Sequence, residues 1–451
     1  MERIIWFFYN FLFAIGYFFI LPRFLLRMWR RGGYRRGFLQ RFGIYDRAVK
    51  DKLAMAPGRF LIHAVSVGEI QVALMFMAGL RAKRPDSIFV LTTTTSTAHA
   101  LAEKMMSKDD VLLYFPVDFP FIIRSVLRKI NPLGLILVES ELWPNLVRQA
   151  AARQTPIMLL NGRISNRSFR GYKLLRPLVQ RVLAHFTFFC AQSAEDAGRL
   201  IELGAEPGCV RVTGSAKYDI ADAPFRAEEQ FVRNLQALGF GAENLLLVGG
   251  STWPGEEAAL LEIFARLRGQ HQNLRLVLVP RHAERRKQVM AEITRSGLGF
   301  KLWSECRAAA VVGNGPRKDV LLVDTTGELR AFYAVAAIVF IGKSLTARGG
   351  QNPIEAAVCS KPIVVGPHME NFSGVMADFL ESQAIVQVGD KEALEKIVSG
   401  LLGNEKEREL IGGRAGRVVR EKSGALRASI TLFLNYLSVP KKLTGGKFFN
   451  I

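Results

Sequence analysis

Phe60-Leu-Ile-His-Ala-Val-Ser-Val-Gly-Glu69 is an apolar run that breaks at Gly68 and leads into the helix-period stretch Val72–Lys83. Read alone, it is half of a βαβ unit: a buried strand over Phe60–Val67, a tight turn and a helix. Further strand candidates follow at Ile88–Thr93, Leu135–Val138, Ile157–Leu160, Phe186–Ala191 and Val210–Thr213, with a second helix-like stretch at Phe121–Lys129. The pattern then starts again. Leu245–Gly249, Leu274–Val279, Val320–Val323, Ala337–Ile341, Pro362–Val365 and Ala384–Val388 form the second set of strand candidates, after a junction at Tyr218–Arg226. Strands separated by helices imply parallel sheets, so the predicted fold class is α/β, two Rossmann-like doubly wound domains facing a cleft. The predicted boundaries are 28–218 and 219–439, with a segment 1–27 before them and a tail 440–451 after them. Ligands of such sheets bind beyond the carboxyl ends of strands, so chemistry is sought there.

The 451 residues are enough for two to three domains, and 49% hydrophobic with 22% charged residues suits folded domains rather than disorder. Lys and Arg number 61 against 40 Asp and Glu, a net charge of +21. Such a surface attracts polyanions: nucleic acid, anionic lipid or phosphorylated substrates. Cys190, Cys209, Cys306 and Cys359 are far apart and form no CxxC pair, which argues against a disulfide framework or zinc site and for a reducing compartment.

Ile4 to Pro22 reads IIWFFYNFLFAIGYFFILP, without a charge. That is close to the roughly 20 residues needed to cross a bilayer as a helix. Arg23, Arg27, Arg30, Arg31, Arg35 and Arg36 follow it. A signal peptide would carry its charge before the apolar run and a small-residue cleavage site after it. The segment is therefore predicted to be a membrane anchor, with a monotopic or buried helix as the alternative. The basic cluster then places the rest of the chain on the cytoplasmic side.

Several strand ends carry polar groups. Glu69 falls at the start of a helix, where the helix N-terminus favours a carboxylate and tends to lower its pKa. It is either a plain helix-start residue or a general base that takes a proton from an acceptor hydroxyl. Val138-Glu-Ser-Glu-Leu-Trp-Pro-Asn145 places Glu139 and Glu141 after an apolar strand. Acids at buried strand ends are candidates for function, and solvated loop carboxylates are the alternative. In Gly214-Ser-Ala-Lys-Tyr-Asp219, Lys217 is either a surface lysine or a cation that neutralises charge on a phosphate or carboxylate. The second half offers Gly249-Gly-Ser-Thr-Trp-Pro-Gly-Glu256, Pro280-Arg-His282, Asp324-Thr-Thr-Gly-Glu328 and Gly342 through Glu355. In the last run, glycines expose backbone N–H groups before a helix, with Asn352 and Pro353 as predicted cap and first-turn residues. That suits an anionic group, and Glu355 could accept bonds from ribose hydroxyls. The sequence holds no GxxxxGK[ST] loop, no HExxH and no DxD triplet, and no dedicated metal site is predicted.

HAVSVGE, VESELWPN, the NGRIS run at Asn161–Ser165, GSAKYD, VPRH, DTTGEL and GGQNPIEAA through GPHMENF occur in this order over residues 60 to 390. In these motifs the chain resembles the 3-deoxy-manno-octulosonic acid (Kdo) transferases, which glycosylate the lipid A precursor. The resemblance implies a GT-B fold and an inverting, metal-independent glycosyltransferase. It would move Kdo from CMP-Kdo to lipid IVA in lipopolysaccharide core biosynthesis, at the cytoplasmic side of a bacterial inner membrane. It implies Glu69 as general base, with Glu139 and Lys217 stabilising the transition state. Pro280, Arg281, Thr326, Gly327, Glu328, Asn352, Pro353, Ile354 and Glu355 would hold CMP. No cofactor is implied beyond the donor CMP-Kdo. The partners implied are the lipid A precursor and an anionic membrane surface. Three places depart from the family pattern: Gln351 where His is expected, Lys343 where Gly is common, and Trp253-Pro254 in place of a polar pair.

The alternatives are another GT-B transferase or an epimerase using a UDP-sugar, a membrane-tethered nucleic-acid binder, and an inactive scaffold. The paired ESE and GSAKYD clusters favour Kdo. Nucleic acid is not the expected partner, because the basic residues are spread along the chain with no recognised module. Every predicted catalytic position carries a competent residue, which speaks against a scaffold.

Overall fold

The computed structural model describes residues 2–31, 37–55, 58–219, 227–308 and 318–438, with the side chains of 2, 23–25, 27–31 and 306–308 excepted. None of the arginines of the predicted basic run Arg23 to Arg36 has a described side chain, and the junction after Asp219 and the tail 440–451 lie outside the described residues. The chain forms two units, Met1–Ile220 with Ser423–Ile451, and Ala221–Lys422.

The sheet of the first unit contains β1 (Arg59–Ala64), β2 (Ile88–Thr93), β3 (Val111–Tyr114), β4 (Gly134–Val138), β5 (Ile157–Gly162), β6 (Phe188–Ala191) and β7 (Val210–Val212). Their order is β3-β2-β1-β4-β5-β6-β7, and every pairing is parallel. Alternate residues of β1 enter different cores. Leu61 joins one apolar cluster, while Phe60 and Ile62 join the other. A strand packed on both faces has to be apolar throughout, which is why FLI reads as a continuous run.

The sheet of the second unit contains β8 (Leu245–Thr252), β9 (Leu274–Pro280), β10 (Phe300–Leu302), β11 (Val320–Leu322), β12 (Ile338–Ile341), β13 (Ile363–Val365) and β14 (Val386–Gln387). Its order is β10-β11-β9-β8-β12-β13-β14, again parallel. The strand order reverses between β1 and β4 in the first sheet and, at the centre of the second sheet, between β8 and β12, with β10 and β11 exchanged at that sheet's edge. The carboxyl ends at such a reversal are where loops diverge and leave room for a ligand.

Two predicted boundaries are corrected. The helix Ala425–Ser438, expected in the second domain, belongs to the first unit. Asp219 accepts hydrogen bonds from the N–H groups of Gly424 and Leu426 (the latter 2.6 Å), which caps the start of that helix. Phe433 packs edge-on against Phe60 at 5.3 Å. Gly79 lets the helix approach closely, since a Cβ there would lie 2.5 Å from Ile430 Cδ1. The N-terminal helix α1 (Glu2–Arg31) was expected as an element separate from the folded domains, and it too belongs to the first unit. Over Arg3–Pro22 it has the length and mean hydropathy, 2.0, of a membrane-crossing helix. Yet Trp6 is buried in the first unit's core.

Candidate active site

In the first unit, β1 and β4 end beside each other at the reversal point and deliver three carboxylates. Ser66 caps the helix Val67–Lys83, its Oγ accepting the Glu69 N–H at 3.2 Å. Glu69 answers by accepting the N–H groups of Val65 (2.8 Å) and Ser66 (3.3 Å). The helix-start role is thus present, and it holds the carboxylate in one orientation. Glu139 follows β4 directly with φ 63°, a left-handed conformation unusual for a side-chain-bearing residue. Its N–H donates to Leu160 O at 2.8 Å. Burial raises its pKa, the charge of Glu69 adds to this, and Lys217 and Arg163 oppose it. Glu141 accepts the Trp143 Nε1–H at 2.9 Å. Burial pushes it up to about 7, with Glu69 adding, the Trp143 bond opposing and Glu139 adding again. Like charges resist simultaneous ionisation, and Glu69 accordingly adds to the upward shift of both Glu139 and Glu141.

Lys217 lies in the short helix Ala216–Asp219 after β7. Burial lowers its pKa, Glu139 counteracts this, and Arg163 reinforces it. Asn161 connects the groups. It stands at the end of β5 with φ 56°, its Nδ2 reaches Glu139 at 3.4 Å, and its Oδ1 accepts the Ala216 N–H at 3.0 Å. The structure therefore brings Glu69, Glu139 and Lys217 together.

Five groups here escaped the predicted site. Glu141 was visible as the second acid of ESE. Asn161 and Arg163 were visible only as the run NGRIS. His63, fully buried on β1, stacks on Phe115 (centroids 3.8 Å) and directs Nε2 to within 3.8 Å of Glu141. Burial pushes its pKa down to about 3, against a bond to Thr92 O, so it is neutral. Asp118 had no signal beyond its flanking prolines. It is fully buried, and it accepts the N–H groups of Asn145 and Leu146 and the Tyr9 hydroxyl, each at 2.9 Å. It thereby caps the helix Pro144–Ala151 that follows the Glu139–Trp143 loop. Burial raises its pKa to about 7 in spite of these donors.

In the second unit, Glu256 binds the loops after β8 and β12 to each other. Its carboxylate is fully buried and accepts four backbone N–H groups: Trp253 (2.8 Å), Lys343 (2.7 Å), Ser344 (2.9 Å) and Leu345 (2.9 Å). Asn352 Oδ1 accepts the Ile354 N–H at 3.1 Å, and its Nδ2 reaches Glu355 at 3.3 Å. The helix begins at Ile354, so Pro353 is its cap residue and not part of its first turn. Burial raises the Glu355 pKa, against Asn352, Arg330 and Arg281. Arg281, Asn352 and Glu355 are therefore one group. Thr326 and Gly327 are exposed after β11, and Thr325 Oγ1 donates to Glu328. Pro280 ends β9. Pro353 and Ile354 are buried, so their side chains offer no surface to a ligand. Two departures from the family pattern meet here. Lys343 has φ 56°, which explains a glycine preference, and its Nζ lies over the Trp253 ring at 5.0 Å.

A family model described as 3-deoxy-D-manno-octulosonic-acid transferase (kdotransferase) matches residues 36–220. The 3-deoxy-D-manno-octulosonic acid transferase of Bordetella pertussis is 30% identical over 428 residues, 93% of this chain and 97% of the relative. The chain belongs to the 3-deoxy-D-manno-octulosonic acid transferase family. A Haemophilus influenzae transferase of the same description is 29% identical over 407 residues, 90% of this chain and 92% of its own. Among solved structures, the UDP-GlcNAc 2-epimerase of Neisseria meningitidis bound to UDP-GlcNAc aligns over 84% of this chain and all of its own. Its TM-score is 0.56 at 12% identity. A glycosyltransferase from Rickettsia africae aligns over 85% of this chain and 99% of its own, with TM-score 0.54 and 12% identity. These two likenesses concern the fold, which is GT-B. Family membership makes the chain a glycosyltransferase that moves Kdo.

Proposed function

We propose that the chain transfers Kdo from CMP-Kdo to a hydroxyl of a lipid A precursor, lipid IVA, in lipopolysaccharide core biosynthesis. The transfer inverts the anomeric carbon, needs no metal ion, and takes place at the cytoplasmic face of a bacterial inner membrane to which α1 attaches the chain. The observation that carries this reading is the group of Glu69, Glu139 and Glu141 beside Lys217 at the reversal point of the first sheet.

Glu69 takes the acceptor hydroxyl proton as the acceptor oxygen bonds to the anomeric carbon. The bond from that carbon to the phosphate oxygen breaks, and CMP leaves with the bonding electrons. Glu139 supports the positive charge that develops on the sugar ring. Lys217 balances Glu139 and the anionic groups of the substrates. Arg281, Asn352 and Glu355 form the group suited to CMP, with Arg281 for its phosphate and Glu355 for ribose hydroxyls; Thr326 to Glu328 complete it.

The test is incubation with CMP-Kdo and a tetraacylated lipid A precursor, with product masses as the readout, and UDP-sugars as parallel donors. Addition of Kdo from CMP-Kdo is the expected result. Turnover with UDP-sugars alone would refute the assignment. Glu69→Gln should reduce turnover by a factor of about 100 or more, and near-normal turnover would remove Glu69 as the base.

A further inference from the structure

Helix α1 has two faces. Trp6, Tyr9, Asn10, Phe13 and Tyr17 recur at helical spacing and point at the first unit. Trp6 is 3% exposed, and the Arg148 guanidinium stacks over it at 4.6 Å. The Tyr9 hydroxyl donates to buried Asp118 at 2.9 Å, and Asn145 Nδ2 donates to Asn10 Oδ1 at 2.8 Å. Phe13 and Tyr17 meet Phe119 edge-on, with centroids 5.3 and 5.6 Å apart. On the opposite face Phe7, Phe8, Phe11, Leu12, Phe18 and Phe19 are all exposed.

A helix that crosses a bilayer is surrounded by hydrocarbon for about 30 Å. Here, Trp6 to Tyr17, roughly 17 Å of helix at 1.5 Å per residue, is covered on one side by a surface carrying Asp118, Asn145 and Arg148. Crossing would either carry those polar groups into hydrocarbon or strip α1 from the unit and leave Asp118 and Asn145 short of partners. A helix lying along the interface meets neither obstacle. Its apolar face enters the lipid by roughly 5–10 Å while the polar side stays on the protein.

The exposed apolar surface also continues past α1. Phe121 stacks on Phe119 at 5.7 Å and is 70% exposed, and Arg124 is exposed one turn further along the same helix. Leu174, which ends the helix Asn166–Leu174, and Leu175, which precedes the helix Arg176–Leu183 that packs against α1, are exposed. Apolar groups interleaved with arginines, on a chain of net charge +21, complement an anionic lipid surface.

We infer that α1 lies in the plane of the membrane, docked on the first unit by its Trp6–Tyr17 face, with its phenylalanine face and Phe121 sunk into one leaflet of an anionic bilayer. The chain then does not cross the bilayer between Ile4 and Pro22. The inference rests on the membrane attachment proposed above, and the experiment separates the two. The full chain carrying Arg3→Cys is added to preformed phosphatidylcholine–phosphatidylglycerol vesicles, floated, and treated from outside with a membrane-impermeant maleimide. The label gained over the unsubstituted chain is the readout. Flotation with immediate labelling supports the in-plane helix. Flotation with labelling only after detergent overturns it and leaves the attachment standing. Failure to float overturns both. In a second arm, Phe121→Glu should weaken vesicle binding by about tenfold, as expected for an aromatic ring withdrawn from lipid. Unchanged binding would count against the docked surface, since a crossing helix would anchor the chain without Phe121.

Discussion

Replacing Glu256 by glutamine keeps shape and volume and removes one acceptor. In the native chain one carboxylate oxygen takes the N–H groups of Ser344 and Leu345, and the other takes those of Trp253 and Lys343. A glutamine can offer its carbonyl to one pair only, and its NH2 then faces the other pair. Two charge-assisted bonds are lost, at about 1.5–3 kcal/mol each before relaxation. Because neighbouring losses are not additive, about 3–5 kcal/mol is the expected total. For a unit of this size that lowers the melting temperature by about 2–4 °C per kcal/mol, hence by roughly 6–20 °C. Urea or thermal unfolding followed by fluorescence reports it, since Trp303 is buried in the same unit. CMP affinity should fall as well, because the loops after β8 and β12 lose the group that joins them. A loss below about 1 kcal/mol with native CMP affinity would refute the reasoning.

Stability should also depend on pH through Glu141. Its folded pKa is raised from the usual 4.5 to about 7, so the folded state holds a proton that the unfolded chain releases. Its contribution is complete below pH 4.5 and is lost as pH rises through about 7. Allowing for partial exposure, the unfolding free energy of the native chain should fall by about 1–2 kcal/mol relative to that of Glu141→Gln between acid and neutral pH; parallel curves would contradict the shift. Gly342→Ala would place a Cβ 2.3 Å from Ser251 O, a main-chain atom, and should cost about 3 kcal/mol in denaturant titration. Lys343→Gly relieves a left-handed backbone, worth about 1 kcal/mol, and forfeits the contact with Trp253, worth about 0.5–1 kcal/mol. Its measured stability should stay within about 0.5 kcal/mol of native, and a large change in either direction would show that one of the two effects is misjudged.

The strands legible in the sequence are those buried on both faces, such as FLI in β1 and LILV in β4. The two missed strands, Val111–Tyr114 and Phe300–Leu302, are first in the order of their sheets. An edge strand is short and packs against one neighbour only, so it needs no long apolar run. The strand predicted over Phe60–Val67 ends at Ala64, because Ser66 starts the next helix with its side chain. Local pattern also exposed Glu69, Glu139 and Lys217, each just past a strand. It could not expose Asp118 or His63, whose roles come from residues far away in sequence: Tyr9 and Asn145 for the first, Glu141 and Phe115 for the second. Similarly, a carboxylate after Gly-rich residues was readable at Glu256, but its partners lie almost 90 positions on. Side-chain to main-chain bonds of that span leave no periodic trace.

Asp219 and its bonds to Gly424 and Leu426 also order the making of the protein. The first sheet leaves the ribosome complete at Val212, but the helix that covers Phe60 and Phe76 is not there until Ser438. At about 5–20 residues per second, that is a delay of roughly 10–45 s. During it, the part of that core around Phe60 and Phe76 lacks this helix, although the helix Val67–Lys83 already packs on the sheet, and the whole of the second unit emerges in a single uninterrupted stretch. The later half of the chain can therefore complete its own core before the earlier half closes. Any cut between the two, including one at the end of the family match at residue 220, leaves Phe60 and Phe76 without the Phe433 contact.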